Sequence, residues 1–199
     1  MPSLKKILVV ASVEGDDSHA LKRAVALASS NQALLRVVTV VSPPPGYYLL
    51  EQTKDAFKGL LDSEIAHSKL QLENMCEELQ PDASLEMSVD VLVGKLTVEV
   101  IREVLRNEHD LVLKSSEAGG HLTKALFGSA DMNLMRKCPC PVLIVKPTVN
   151  EHFQGIVAAV DKDEDAPENH QLNLKILEIS TWLALAESSD LHIVHAWEL

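Results

Sequence analysis

The chain has 199 residues and a formal net charge of −11 at pH 7, with 46% apolar and 4% aromatic residues. This length exceeds one minimal domain and falls short of two domains of about 150 residues each. Nucleic-acid binding needs a cationic face, and a membrane span needs about 20 consecutive apolar residues. The sequence has no basic cluster and no such apolar run, so we expect neither nucleic acid nor membrane as a partner.

The start of the chain and its cysteines bear on the cellular compartment. A short polar segment leads into the apolar run Ile7–Val10, which is too short for the core of a signal peptide. The three cysteines, Cys76, Cys138 and Cys140, do not form the even, spaced set of a disulfide framework. The sequence therefore predicts a cytoplasmic protein.

Apolar runs alternate with helix-period segments over the first 147 residues, a pattern typical of βαβ units on a parallel sheet. The first run is nearly continuous in Ile, Leu and Val, as expected for a strand buried on both faces. Ser18 is predicted to cap the first helix, and Gly94 to turn the chain into the third. The predicted strands are 5–12, 33–41, 85–93, 110–114 and 141–146, and the predicted helices are about 18–30, 51–79, 98–105 and 124–136. Together they predict one doubly wound α/β domain over residues 1–147.

A second copy of the pattern begins after this domain. Residues 154–161 align with residues 5–12 at a constant offset of 149, and a helix at about 170–187 and a strand at 190–197 follow. An internal repeat is the economical explanation, so residues 148–199 are predicted to form an incomplete β-α-β domain. One helix cannot cover both faces of such a sheet. We therefore expect this part to associate with another copy of the chain or to be poorly ordered.

Three motifs carry a family resemblance: KKILVV at residues 5–10, DLVLK at 110–114 and CPCPVLIV at 138–145. In order and spacing they resemble universal stress proteins over residues 5–147. Lys114, in place of the usual Met-Gly, is similar to the first half of tandem E-type members, and residues 154–197 resemble the start of their second half. The resemblance implies a sheet of order 3-2-1-4-5, similar to adenine-nucleotide alpha-hydrolases. It also implies a stress-response role, a homo-oligomer or pairing of domains within the chain, and protein partners that the sequence does not identify.

The resemblance raises the question of ATP. Members of the family that bind ATP carry Gly-x-x-Gly, nine residues, then Gly-Ser or Gly-Thr. Glycines allow the backbone to approach the phosphates, and the N–H groups at a helix start then face the anion. When the motif is anchored on Gly128 and Ser129, its first two glycine positions fall on Ser115 and Ala118. Both residues carry a Cβ where close approach is required.

Two further positions bear on the same site. A one-residue gap would bring Gly119 or Gly120 into the phosphate loop, although nothing in the sequence requires that gap. The aspartate that ATP-binding members place at the end of strand one is Ser12 here, whereas the second repeat keeps an acid at Asp161. The first domain is therefore predicted to hold a degenerate nucleotide site, with ATP as the one cofactor to test.

Two hypotheses of function remain open. The first is a non-enzymatic stress-response protein with a degenerate nucleotide site, and the alternative is an ATP-binding module with slow or no hydrolysis. The sequence contains no pattern typical of a phosphoryl-transfer enzyme, and no catalytic or metal-binding residue is predicted. Cys138 and Cys140 are interpreted as packing residues, because no further Cys or His cluster completes a zinc shell.

Overall fold

The chain is described by a computed structural model. It describes residues 4–13, 15, 17–44, 51–79, 81, 83–116, 128–146, 153–161 and 167–195. The predicted site residues Ala118, Gly119 and Gly120 and the first residues of the predicted fourth helix lie outside these ranges. Within them, no helix is both long enough and apolar enough to cross a membrane. The chain divides into two compact units, Leu4–Pro147 and Thr148–Leu199.

Strands and helices alternate through the first unit. Their bounds are β1 Lys6–Val10, α1 Ser18–Asn31, β2 Leu34–Val41, α2 Glu51–Glu78, β3 Met87–Val93, α3 Leu96–Asn107, β4 Leu111–Ser115, α4 Ser129–Lys137 and β5 Val142–Val145. The strands form one parallel sheet in the order β3-β2-β1-β4-β5. This order confirms the predicted fold class.

The central strand explains the apolar run at the start of the sequence. β1 pairs with β2 on one side and β4 on the other, so that Val9 lies beside both Val37 and Leu113. Successive side chains of a strand point to opposite faces of the sheet. Ile7, Leu8 and Val9 are nevertheless all fully buried, so both faces of β1 are covered, as the continuous pattern predicts.

The start of α1 differs from the prediction. Ser18 is the first helical residue, and Asp17 occupies the N-cap position, where its carbonyl accepts the N–H of Leu21 at 3.0 Å. The Asp17 side chain makes no capping bond, because it accepts the N–H of Ser12 instead. The prediction that Ser18 caps the helix is therefore wrong.

Gly94 makes the predicted turn between β3 and α3. Its φ of +146° is rarely adopted by residues with a side chain, and an added Cβ would lie 2.8 Å from Cγ of Glu99. The Gly94 N–H donates to the carbonyl of Val41 at 2.9 Å, which fixes the turn against the end of β2. A substitution here would therefore strain the entry into α3.

The second unit contains β6 (Gly155–Ala159), α5 (Pro167–Glu187) and β7 (Asp190–Val194), and β6 and β7 are parallel. This is the β-α-β order that the sequence predicts for this part of the chain, and its origin as a repeat of the first unit stays a prediction. α5 begins 149 residues after the start of α1. It is 21 residues long, whereas α1 has 14, and β7 therefore begins 156 residues after the start of β2. Both helices lead into their strands through the same bond, from Ala33 N–H to Ala28 O and from Ser189 N–H to Ala184 O, each 2.9 Å.

Candidate functional site

A cavity of about 310 Å³ lies where β1 and β4 end. The strand order reverses at this pair, because β2 and β3 lie to one side and β5 to the other. In doubly wound sheets, the crevice at the carboxyl ends of such a pair is where ligands bind. The cavity is lined by Val10, Ala11, Ser12, Gly15, Asp17, Thr39, Val40, Leu96, Lys114, Ser115 and Ser116.

Asp17 places a carboxylate in this cavity. The side chain is almost fully buried, and Oδ2 accepts the backbone N–H of Ser12. The strand end therefore carries a serine instead of an acid, but the backbone N–H of that serine contacts the carboxylate of Asp17. This contact could not be predicted from the sequence, because an acid next to a predicted N-cap is usually interpreted as part of the helix start.

Lys114 and Asp131 form an ion pair beside the cavity. The ammonium of Lys114 donates to Oδ1 of Asp131 at 3.0 Å and to the carbonyl of Ser115 at 3.0 Å. Asp131 is fully buried, and the Lys114 side chain is only 8% exposed. The other carboxylate oxygen, Oδ2, accepts the N–H of Gly128, the N-cap residue of α4, at 3.2 Å. The Asp131 carboxylate therefore neutralises the Lys114 ammonium and also accepts a backbone N–H at the start of α4.

The structure brings together some of the predicted site residues and separates others. Ser12 and Ser115 line the cavity. Gly128 is connected to it through Asp131 and Lys114, while Ser129 is exposed at the first position of α4. The outcome for the three loop residues between them is untested, because they lie outside the described ranges.

Asp161 belongs to the second unit and to a different environment. It is exposed at the end of β6, where its N–H donates to Oδ1 of Asn173 at 3.0 Å and its carbonyl accepts Nδ2 of the same residue at 2.7 Å. The carboxylate accepts Nδ2 of Asn169 at 3.3 Å. These contacts hold the strand end against α5.

The amino ends of the strands, opposite the first cavity, carry a buried polar cluster that the sequence did not indicate. Glu103 accepts Nδ2 of Asn107 at 2.7 Å and lies 2.5 Å from Nε of Arg36. His109 Nε2 lies 3.7 Å from the same carboxylate, beside a second cavity of about 310 Å³. Burial lowers the pKa of His109, and the charge of Glu103 opposes that effect. The cluster connects β2, α3 and the residue preceding β4 by two, so it links these elements at the amino ends of the strands.

Metal binding finds no support in the ranges that the structure covers. No group of three or more His, Cys, Asp or Glu side chains there has the spacing of a metal site. His192 and His195 of the second unit are both exposed, at and just beyond β7.

Known proteins resemble the chain in sequence and in fold. The universal stress protein family matches residues 3–146. Universal stress protein E of Photorhabdus laumondii is 28% identical over 211 residues, covering 99% of this chain and 63% of that protein. The crystal structure of a Pseudomonas aeruginosa protein of unknown function superimposes with a TM-score of 0.72 at 23% identity, over 98% of this chain and 62% of that one. A universal stress protein solved in complex with cAMP has a TM-score of 0.51 at 17% identity, over 73% of this chain and 99% of that one.

The family match covers most of the chain, including every strand of the first unit. The chain spans less than two thirds of the length of the E-type relative. The chain therefore belongs to the universal stress protein family, and over nearly its whole length it resembles the E-type members.

Proposed function

We propose that this chain is a non-enzymatic, cytoplasmic stress-response protein whose first unit keeps the nucleotide cavity in a degenerate form. The observation that carries the proposal is the contact of Asp131 with both Lys114 and the N–H of Gly128. This carboxylate accepts one of the N–H groups at the start of α4 that a phosphate would otherwise use. The protein then acts through contacts with other proteins rather than through turnover of a nucleotide.

Charge supports this interpretation. Helix starts bind phosphate because backbone N–H groups point at the anion. Here the N–H of Gly128 already donates to the Asp131 carboxylate, and the charge of Lys114, the nearby cation, is already neutralised by the same carboxylate. Breaking a buried ion pair by removing one partner typically costs about 3–5 kcal/mol. A phosphate would have to compensate for such a rearrangement of Lys114 and Asp131.

Two other residues of the cavity act in the same direction. Asp17 adds a second carboxylate within the crevice. Ser115 keeps its Cβ at the end of β4, where ATP-binding members of the family place a glycine. The remaining charged group of the described lining, Lys114, is held by Asp131 and by the Ser115 carbonyl. The site thus opposes an anion in both charge and shape.

The alternative is an ATP-binding module with slow or no hydrolysis. The position of the cavity at the reversal of strand order favours it, and a volume of about 310 Å³ lies at the lower end of the range of small-molecule sites. A structural relative was solved with cAMP. In this alternative, Lys114 leaves Asp131 and binds the phosphates.

Isothermal titration with ATP, with and without Mg²⁺, separates the two functions. For the unmodified chain we expect no saturation at micromolar ATP. Asp131→Asn keeps an oxygen for the Gly128 N–H but leaves Lys114 without this counter-charge, so we expect ATP affinity to rise at least about tenfold, or ~1.4 kcal/mol. A submicromolar Kd for the unmodified chain would overturn the proposal in favour of the alternative.

Two control variants define the cause. Glu103→Gln removes a buried carboxylate at the amino ends of the strands of the same sheet, and it should leave ATP affinity unchanged. Lys114→Met combined with Asp131→Asn should cancel the gain, because the cation is then absent. If Glu103→Gln raises affinity equally, the effect is one of net charge, and the ion pair is not what closes the site. Circular dichroism of each variant checks that the fold is retained.

A further inference from the structure

Two cysteines lie close together in the connection from α4 to β5. Cys138 ends α4, and its N–H donates to the carbonyl of Leu134 at 2.9 Å. Cys140 follows after Pro139, and the two sulfur atoms are 3.7 Å apart. Both side chains are partly buried, so each keeps some access to solvent.

The contact between the thiols changes their acidity. A hydrogen bond from Cys140 lowers the pKa of Cys138 to about 7, although burial opposes the shift. The same hydrogen bond to Cys138, together with burial, raises the pKa of Cys140. The pair therefore loses its first proton at a lower pH and its second at a higher pH than separate thiols would. At pH 7 about half of the pairs therefore carry one thiolate beside one thiol.

Cys76 of α2 provides an internal comparison. Its side chain is only 2% exposed, and burial together with the nearby charge of Glu73 raises its pKa to about 11. A buried thiol without thiolate character reacts slowly with oxidants. The same chain thus holds two accessible, paired thiols and one inert thiol.

We propose that Cys138 and Cys140 form a redox-active dithiol, which a hydroperoxide oxidises to an intramolecular disulfide and a dithiol reductant restores. The thiolate of Cys138 attacks the peroxide oxygen, which gives a sulfenic acid and releases hydroxide, or alkoxide from an organic hydroperoxide. The thiol of Cys140 then displaces the sulfenic oxygen, which leaves as water while the S–S bond forms. The peroxide takes two electrons from the two sulfurs, and thiol–disulfide exchange returns them.

The geometry suits the second step. The sulfurs must approach from 3.7 Å to about 2.05 Å, which is a displacement on the scale of side-chain rotation. Both cysteines pack against the core around Leu134, as the sequence predicts. Packing and redox chemistry are compatible, because the two sulfur atoms also contact each other. A metal site is not favoured. The described residues supply no third Cys, His or acidic ligand at suitable spacing.

The test uses the reduced full-length chain and hydrogen peroxide. After a stoichiometric dose, we expect the thiols counted under denaturing conditions to fall from three to one, with a mass loss of two hydrogen atoms. Peptide mapping should place the disulfide between Cys138 and Cys140. Cys76→Ala is the matched control, and it should form the same disulfide at the same rate. Retention of both thiols in this variant, or a disulfide between two chains, would overturn the proposal.

Single variants separate the two roles. Cys140→Ala should accumulate a sulfenic acid on Cys138 that dimedone traps, because the condensing thiol is absent. The pKa of Cys138 in this variant should also return towards about 8.5. Fewer thiolates are then present at pH 7, but each is more nucleophilic, so the oxidation rate should fall about threefold. Cys138→Ala should lose the fast phase altogether. An unchanged pH profile in Cys140→Ala would contradict the proposed hydrogen bond and with it the paired site.

Discussion

β1 of the first unit and β6 of the second are each the first strand of a β-α-β segment, 149 residues apart, but they have different neighbours. β1 lies between β2 and β4, whereas β6 pairs with β7 alone in the part of the chain that the structure describes. The strand ends are alike, since Ala11 N–H donates to Val38 O at 2.8 Å and Val160 N–H to Val194 O at 3.0 Å. Burial is not alike, because Val38 is fully buried while Val194 is 44% exposed.

This difference shows that burial comes from the surrounding elements rather than from the strand itself. In the first unit, the face that carries Leu8 and Val38 is covered by Val100 of α3 and Leu134 of α4. In the second unit the residue equivalent to Leu8 is Val157, which is 64% exposed. Apolar surface removed from water contributes about 25 cal/mol per Å². The same β-α-β pattern should therefore be much less stable in the second unit.

The largest expected effect is in hydrogen exchange. Ala33 and Ser189 donate equivalent bonds of 2.9 Å at the ends of α1 and α5, so their amides differ mainly in the stability of the unit around them. We expect protection at Ala33 to exceed that at Ser189 by at least about a hundredfold. Native-state exchange at residue resolution measures both amides in one sample.

Association between copies would change that result in a recognisable way. If the exposed face of the second unit packs against another chain, protection at Ser189 rises with protein concentration. Val157→Lys should then abolish the rise and leave Ala33 unaffected. Equal protection of the two amides at high dilution would contradict the difference in stability.

A matched pair of substitutions gives the next largest effect. Val38→Ala and Val194→Ala remove the same atoms at equivalent positions, but only Val38 is fully buried. We expect Val38→Ala to lower the free energy of unfolding of the first unit by about 2–3 kcal/mol, because it loses burial and leaves a cavity. Val194→Ala should change stability by no more than about 0.5 kcal/mol. Urea denaturation of each variant provides the values, and similar losses would show that exposure does not separate the sites.

Acid should lower the stability of the first unit and so reduce the difference in stability between the two units. Burial lowers the pKa of His109 below the ordinary value of 6.5, and the positive charges of Arg36 and Lys6 act in the same direction against Glu103. Below pH 6.5 the unfolded chain therefore binds a proton that the folded unit does not. Stability is lost as the pH falls from 6.5 towards the folded pKa.

The effect of His109 is measured as a difference between variants. His109→Gln should remove that part of the pH dependence, so the unmodified chain should lose more stability than the variant between pH 7 and pH 5. His67, exposed on α2, gives the control His67→Gln, which should follow the unmodified chain. Parallel pH profiles for all three proteins would show that His109 titrates normally.

The sequence predicted the topology well because alternating apolar runs and helical periods report on local structure. Two residues of the predicted nucleotide site, Ser12 and Ser115, line the cavity at the ends of β1 and β4, and their role in nucleotide binding stays a prediction. The resemblance to a family supplied the strand order, which the sheet confirms.

The polar contacts around the cavity could not be predicted in this way. Lys114 and Asp131 are 17 residues apart and meet only because β4 and α4 are adjacent in the folded unit. Asp17 accepts the N–H of Ser12 and does not cap its own helix, a contact that residue type and spacing alone do not indicate. One signal was available for Asp131, because an acid three residues after an N-cap commonly accepts the N–H of that residue.

Unfolding followed by two probes in one urea titration tests the difference between the units most directly. Both tryptophans, Trp182 and Trp197, belong to residues 148–199. Trp182 lies half-buried on α5, so a change in tryptophan fluorescence reports on the second unit. Far-UV circular dichroism is dominated by the larger first unit. We predict that the fluorescence midpoint lies at a lower urea concentration than the circular dichroism midpoint, because the second unit unfolds first. Coincident transitions would contradict the account, since they would show that the two units unfold as one.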